Sequence, residues 1–145
     1  MKGIMFTLLF GLVLFAEAQT QFIRPLPVGY SQAVGAEGKF LFISGQISVD
    51  ATGHVIGKND LRAQTVQVYE NIKSLLNEAG CTYEDVVKMN IYIVNYKPEH
   101  GALIREVRKN YLSDKNPPAS TLVGVTSLFH PDYLIEIEAV ALMRK

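Results

Sequence analysis

The sequence predicts an α+β fold in which an antiparallel or mixed sheet carries two helices on one face. Apolar residues recur every three or four positions in two segments, which is the helical period, and alternate in others, which is the strand period. The elements follow the order strands, helix, strand, helix, two strands, which is typical of an α+β layer. The chain has 145 residues, of which 48% are apolar, so we expect one domain with its own core.

The first eighteen residues have the pattern of a signal peptide. Lys2 supplies a positive charge, an apolar run follows over 4–15, and Ala16-Glu17-Ala18 places small residues before an expected cleavage at Gln19. A run of this length is too short to span the roughly 30 Å of a bilayer core as a helix. A buried N-terminal helix is the alternative. We therefore expect an exported protein, periplasmic or secreted, with a single domain over 19–145 and no membrane segment after cleavage.

The mature chain begins with strands and a loop. Residues 19–28 carry two prolines and no periodicity, which indicates an extended lead-in. Phe40–Ser44 is a short run of aromatic and aliphatic residues that ends at Gly45, which predicts a strand. Residues 49–57 contain an aspartate and two glycines and predict a loop.

A helix is predicted from Asn59 or Asp60 to about Ala79. A side-chain oxygen at either starting residue can accept a hydrogen bond from a free N–H of the first turn, and Gly80 can end the helix in the left-handed conformation. The face expected to be buried consists of residues spaced by three and four: Leu61, Thr65, Val68, Ile72, Leu75, Leu76 and Ala79.

A strand and a second helix follow. Apolar residues alternate with polar ones over 87–93, which predicts a strand. Pro98 suits the first turn of a helix, in which Leu103, Val107 and Tyr111 recur every four residues. Asn116-Pro117-Pro118 is expected to stop it.

Two strands complete the chain, over about 120–126 and 133–143. In the last one the apolar residues face one side, whereas Glu136 and Glu138 face the other. Two helices cover only one side of such a sheet, so the second side must be solvated or meet another subunit. Tyr92 and Val140 on that second side favour an oligomer.

Several classes of function are not supported by the residues. The formal net charge is zero, whereas nucleic acids and anionic membranes call for a basic patch. His54, His100 and His130 lie far apart and in no metal-ligand spacing, so we expect no metal. Neither a phosphate-binding glycine loop nor a Gly-x-Ser-x-Gly nucleophile motif occurs. Cys81 is the only cysteine and is interpreted as a packing residue.

Six blocks of the sequence together resemble the RidA/YjgF family, in the family's order and over about residues 23–144. The blocks are Tyr30–Val34, Phe42–Gln46, Ala63–Thr65 through Glu70–Ile72, Asp85–Lys88, Pro118–Ala119 and Ile135–Ala139. The resemblance implies a chorismate-mutase-like fold and a homotrimer with a barrel-like centre and small-molecule clefts between subunits. It also implies hydrolysis of 2-imino (enamine) acids, such as 2-iminobutanoate and 2-iminopropanoate, to 2-oxo acids and ammonia, without a cofactor.

The resemblance also assigns site residues. Glu136 matches the glutamate that holds the attacking water and moves protons. The positions that match the family's substrate-binding residues are Tyr30, Ser44, Gly45, Gln46 and Leu122.

The sequence departs from the family at one functional position. The family pattern Pro-Ala-Arg is replaced by Pro118-Ala119-Ser120, so a hydroxyl stands where a guanidinium would hold the substrate carboxylate by two charge-assisted hydrogen bonds. Losing such a contact costs about 2–5 kcal/mol, and we expect deaminase activity to be weak or lost. Arg105, where many members carry asparagine, is a possible replacement cation. The alternatives are therefore an active hydrolase that uses Glu136 and Arg105, or a non-catalytic exported trimer that binds a metabolite.

Overall fold

A six-stranded mixed sheet with two helices forms the protein, and the computed structural model describes residues 20–144. The predicted signal peptide, 1–18, lies outside the described residues. The elements are β1 (Thr20–Leu26), β2 (Tyr30–Ala36), β3 (Phe40–Gln46), α1 (Leu61–Glu78), β4 (Val86–Val94), α2 (Pro98–Arg108), β5 (Ala119–Val125) and β6 (Ile135–Leu142). The strand order is β1-β2-β5-β4-β6-β3, with β5 parallel to both neighbours and the other pairs antiparallel. The predicted α+β class is confirmed.

Both ends of α1 follow the sequence signals. The Asp60 side chain accepts a hydrogen bond from the Ala63 N–H at 3.0 Å, and Gly80 adopts a φ of 71° just beyond the last turn. The buried face is centred on Thr65, Val68, Ile72 and Leu76, and it also takes in Gln64 and Tyr69. Leu75 was expected on this face, but it is 36% exposed. It lies at the margin of the stripe, so that prediction was wrong.

The core lies between the helices and the two central strands. Met89, Ile91 and Ile93 of β4 and Ile135 and Ile137 of β6 are fully or almost fully buried, which confirms the predicted alternation. Side chains from both helices join the same cluster. The helices therefore cover one face of the sheet, and the face that carries Glu136 and Glu138 is left uncovered within the chain.

The segment after α2 differs from the prediction. The helix ends at Arg108 rather than at Asn116, and backbone hydrogen bonds from Tyr111 and Leu112 to the Arg108 carbonyl form a turn there. Tyr111 still reaches the core, where its ring stacks on Tyr69 at 4.8 Å between centroids. A helical period in the sequence can therefore continue through a turn that is not helix.

The lead-in, predicted only as an extended segment, is the edge strand β1. It pairs with β2 as an antiparallel hairpin, in which Pro25 lies opposite Ser31. A proline lacks the N–H that a central strand needs, and an edge strand tolerates it. Pro25 therefore lies within a strand that the local sequence did not predict.

Candidate functional site

Glu136 and Gly45 meet where β6 and β3 lie side by side. The pairing of the two strands is shifted between Ile43 and Gln46, so the backbone of Gly45 lies under the Glu136 side chain. A Cβ atom added at Gly45 would lie 2.6 Å from the carboxyl carbon of Glu136 and closer still to its Oε1. Only a glycine leaves room for the carboxylate at this point.

The Glu136 carboxylate is half-buried and unengaged. Within residues 20–144, no group donates a hydrogen bond to it and no cation pairs with it. Burial raises the pKa of Glu136, and the neighbouring charge of Glu138 raises it further. A carboxylate with free lone pairs and a raised pKa is able to hold a water molecule and to accept or return a proton.

Glu138 differs from Glu136 although it lies on the same strand face. Asn90 donates to its Oε1, and the Tyr92 hydroxyl donates to the same atom at 3.0 Å. This hydrogen bond, with burial and the charge of Glu138, raises the pKa of Tyr92. Glu138 is therefore part of a cross-strand polar cluster, whereas the Glu136 carboxylate has no hydrogen-bond partner in residues 20–144.

A shallow cleft of about 260 Å³ lies on the same uncovered face. It is lined by Phe42, Ile43, Ser44, Lys88, Asn90, Glu138, Ala139 and Val140. Phe42 is 77% exposed, which is unusual for an aromatic residue in a sheet. Of the predicted site residues, Ser44 lines this cleft, whereas Gly45 and Glu136 lie outside its lining. Gln46 donates from its Nε2 to the Ser44 carbonyl at 3.0 Å.

Ser120 lies on the opposite face of the sheet from Glu136. In the parallel pairing of β4 and β5, Ser120 is opposite Met89, which faces the helices. In the antiparallel pairing of β4 and β6, Glu136 is opposite Tyr92 on the uncovered face. Leu122 is opposite Ile91 and lies on the helix side with Ser120. One chain therefore does not bring Ser120 or Leu122 together with Glu136.

Tyr30 lies near Ser120 rather than near Glu136. Ser31 donates through its hydroxyl to the Pro117 carbonyl at 2.7 Å, and through its N–H to the Pro118 carbonyl at 3.0 Å. These bonds join the start of β2 to the start of β5. Tyr30 and Ser120 thus flank the same strand junction.

Arg105 is exposed on α2 and lines a groove of about 270 Å³ between this helix and the turn that joins β1 to β2. Gly29 lies in the opposite wall and precedes Tyr30 in the chain. Within the described residues, Arg105 has no ion-pair partner. The arginine is thus available to a ligand from the helix side.

Arg108, which no sequence motif singles out, is 6% exposed. Its Nε and Nη2 are buried without a hydrogen-bond partner, and burial lowers its pKa. The sequence signal for its burial is its position directly after Val107, on the face of α2 that packs against the core. A cation on such a face indicates either a buried ion pair or a binding site.

Three further predictions concern metal ligands, membrane-spanning segments and the role of Cys81. Across residues 20–144 there is no cluster of three metal-ligating side chains, and no helix in this range has the length and apolar character needed to cross a bilayer. Cys81 is buried in the core, which agrees with its interpretation as a packing residue.

Comparison with known proteins gives one consistent set of relatives. The family model described as Endoribonuclease L-PSP matches residues 24–143. The chain is 44% identical over 118 residues to a RutC family protein of Pyrococcus horikoshii, and the match covers 81% of this chain and 90% of the relative. It is 32% identical over 122 residues to a protein of Dermatophagoides farinae named 2-iminobutanoate/2-iminopropanoate deaminase, covering 83% and 91%. The structure of the Rid family protein YyfB from Yersinia pestis matches with a TM-score of 0.77 at 37% identity, covering 85% of this chain and 98% of that one.

Proposed function

Because the chain belongs to the RidA/YjgF family, which the Endoribonuclease L-PSP model describes, we propose that it binds a small 2-imino or 2-oxo acid in clefts between the subunits of a homotrimer. We propose further that its imine deaminase activity is weak. The observation that carries the proposal is the unengaged Glu136 carboxylate above the Gly45 backbone. The named activity of the Dermatophagoides farinae relative supplies the substrate class.

Glu136 is assigned the role of positioning the attacking water and transferring its proton. Hydrolysis of an imine adds water to the C=N carbon, transfers a proton to the nitrogen and releases ammonia, which leaves a 2-oxo acid. A carboxylate beside the attacking water takes its proton and returns it to the leaving nitrogen. The raised pKa of Glu136 favours the first half of this transfer, since a more basic carboxylate accepts a proton more readily.

The weakness of the activity is attributed to Ser120. A serine hydroxyl offers one neutral hydrogen bond, whereas an arginine offers a planar fork of charged donors to the substrate carboxylate. The loss of such a contact costs about 2–5 kcal/mol, which is roughly thirty- to several-thousand-fold in binding or turnover.

The placement of the cleft between subunits rests on the two faces of the sheet. Glu136 faces the uncovered side, whereas Ser120 and Leu122 face the helices. Residues on opposite faces of one sheet can line one cleft only if a second copy contributes one of the two sets. The exposed Phe42 on the uncovered face is consistent with burial against such a copy.

A second candidate is an active hydrolase in which Arg105 binds the carboxylate. The observation in its favour is that Arg105 has no ion-pair partner in residues 20–144 and lines the groove with Gly29, the residue before Tyr30. The third reading, an exported protein that only binds a metabolite, depends on the signal peptide proposed for 1–18. Both predict ligand binding, and they differ in turnover.

The test is a deaminase assay on 2-iminobutanoate generated in situ by an amino-acid oxidase. We expect a turnover at least about thirtyfold below that of a relative that carries the arginine. Turnover equal to that relative would exclude the proposal. If Arg105→Met then abolished the activity, the second candidate would replace it.

A further inference from the structure

Three side-chain amides lie on one side of α1 and form what we call the amide row. They belong to Gln64, Gln67 and Asn71, whose spacing of three and four residues brings them to the same face of the helix. Gln64 is fully buried, and the other two are half-buried. Burial of an amide is costly unless its polar atoms are hydrogen-bonded, so the partners of these side chains indicate the role of the row.

Gln64 binds the chain just before β6. Its Nε2 donates to the Asp132 carbonyl at 2.7 Å and to the Gly57 carbonyl at 3.2 Å, and its Oε1 accepts from the Leu134 N–H at 2.8 Å. Glu136 lies two residues beyond Leu134. A single side chain of α1 therefore fixes the backbone from which the Glu136 carboxylate extends.

Asn71 binds the chain just after β3. Its Nδ2 donates to the carbonyls of Ile47 and Val49, at 3.0 and 2.9 Å, and its Oδ1 accepts from the Gln67 Nε2 at 2.8 Å. The bond from Gln67 keeps the donors of the Asn71 amide turned towards the two carbonyls. Because Ile47 lies two residues after Gly45, the same helix also holds the chain next to this glycine.

The pairing of β3 with β6 is irregular where Gly45 and Glu136 meet. Its register shifts between Ile43 and Gln46, and ladder hydrogen bonds are disrupted at such a step. The strand pairing alone therefore does not fix how closely the carboxylate approaches the glycine. The amide row supplies a fixed point on each of the two strands beside this step.

We propose that the amide row positions the Glu136 carboxylate over the Gly45 backbone. The proposal rests on the role in imine hydrolysis proposed above for Glu136. The amides act through the backbone of residues 47–49 and 132–134, to which they are hydrogen-bonded. A displacement of about 1 Å in a catalytic group can reduce turnover about 100-fold. Since Glu136 acts on the attacking water, loss of the row should lower kcat much more than it raises KM.

The experiment measures the pKa of Glu136 in the folded protein, by NMR of the labelled side-chain carboxyl carbon across a pH titration. Burial raises this pKa, and the charge of Glu138, which the variants leave in place, raises it further. A carboxylate released from its place over Gly45 gains water and titrates closer to the ordinary glutamate value. We expect Asn71→Leu and Gln64→Met to lower the pKa of Glu136. Each should also lower kcat for 2-iminobutanoate by on the order of tenfold or more, with little change in KM.

Thr65→Val is the matched control on the same helix. Thr65 is fully buried, and its hydroxyl donates within α1, to the Leu61 carbonyl at 2.6 Å. The substitution should lower the melting temperature, because a buried hydrogen bond is lost, and it should leave the pKa of Glu136 unchanged. A purely structural role of the amide row would give this same result, lower stability with an unchanged pKa, in Asn71→Leu and Gln64→Met.

An unchanged pKa of Glu136 in Asn71→Leu would overturn the proposal, as would an equal shift in Thr65→Val. Asn71 is only half-buried, so Asn71→Leu decides by itself if Gln64→Met fails to fold. A shifted pKa without any loss of kcat would also overturn the proposal. If the pKa shifts as expected but neither the unchanged protein nor Ser120→Arg hydrolyses the imine, the proposed function fails and the positioning of Glu136 by the amide row stands.

Discussion

The carboxylate of Glu136 lies directly above the backbone of Gly45, in space that a Cβ atom would occupy. The two residues come from neighbouring strands whose pairing is shifted at this point. Gly45 has no positive φ. Its role is therefore to leave space for the Glu136 carboxylate, and not to adopt a backbone conformation that other residues avoid. The position of the carboxylate thus depends on the absence of a side chain on the strand beside it.

Gly45→Ala should displace the Glu136 carboxylate and reduce ligand binding and any imine hydrolysis. The added methyl group overpacks the site, and we expect a loss of about 1–3 kcal/mol in the free energy of unfolding. Urea denaturation and the iminobutanoate assay measure the two effects. Gly35→Ala is the matched control, since a Cβ there meets its nearest neighbour, Gln21, at 4.0 Å. Equal effects of the two substitutions would contradict the assigned role of Gly45.

Glu136→Gln should stabilise the fold near neutral pH and have little effect in acid. Burial raises the pKa of Glu136 above its ordinary value, so the folded state binds this proton more tightly than the unfolded chain does. Stability from this group is therefore present below the unfolded pKa and is lost as the pH rises through the folded pKa. Melting temperatures of both proteins from pH 4 to 8 measure the effect, and a difference that is largest at pH 4 would contradict it. The half-buried carboxylate makes the expected difference small.

Much of the fold follows from local signals in the sequence. The cap at Asp60, the end at Gly80 and the alternation in β6 each depend on a few neighbouring residues, and the structure confirms all three. Gln64 was overlooked because its burial depends on distant partners: its side chain donates to the Asp132 carbonyl at 2.7 Å and accepts from the Leu134 N–H at 2.8 Å. Hydrogen bonds between residues so far apart in the chain leave no periodic pattern in the sequence.

The site was only partly predictable for the same reason. The family blocks identified Glu136 and Ser120, but a strand pattern alone does not give the register between β4 and β5, which places the two residues on opposite faces of the sheet. Arg108 was overlooked because a charged residue beside a helical stripe is ordinarily at the surface. The turn of residues 27–29 lies beside its side chain, and a contact between segments so far apart in the chain has no local signal.

Tyr69→Phe and Tyr83→Phe should have opposite effects on stability. The Tyr69 hydroxyl is buried without a partner, so its removal should leave the free energy of unfolding unchanged or raise it. The Tyr83 hydroxyl donates to the Tyr69 carbonyl at 2.6 Å, and its removal should cost about 0.5–1.5 kcal/mol. The two rings belong to one aromatic cluster, which makes the pair a matched comparison. Greater destabilisation by Tyr69→Phe in urea denaturation would show that its hydroxyl has a partner in solution.

Ser120→Arg should raise imine deaminase activity. It restores a forked cation at the position where the family pattern places arginine, and a charged contact of this kind is worth about 2–5 kcal/mol, so kcat/KM should rise roughly thirtyfold or more. Ser120→Gln is the control, since it adds a long side chain with neutral donors only. The gain should disappear in the double variant with Glu136→Gln, because the water-holding carboxylate is then neutral. If Ser120→Arg folds, binds substrate and still shows the activity of the unchanged protein, then the loss of the arginine is not what limits this site.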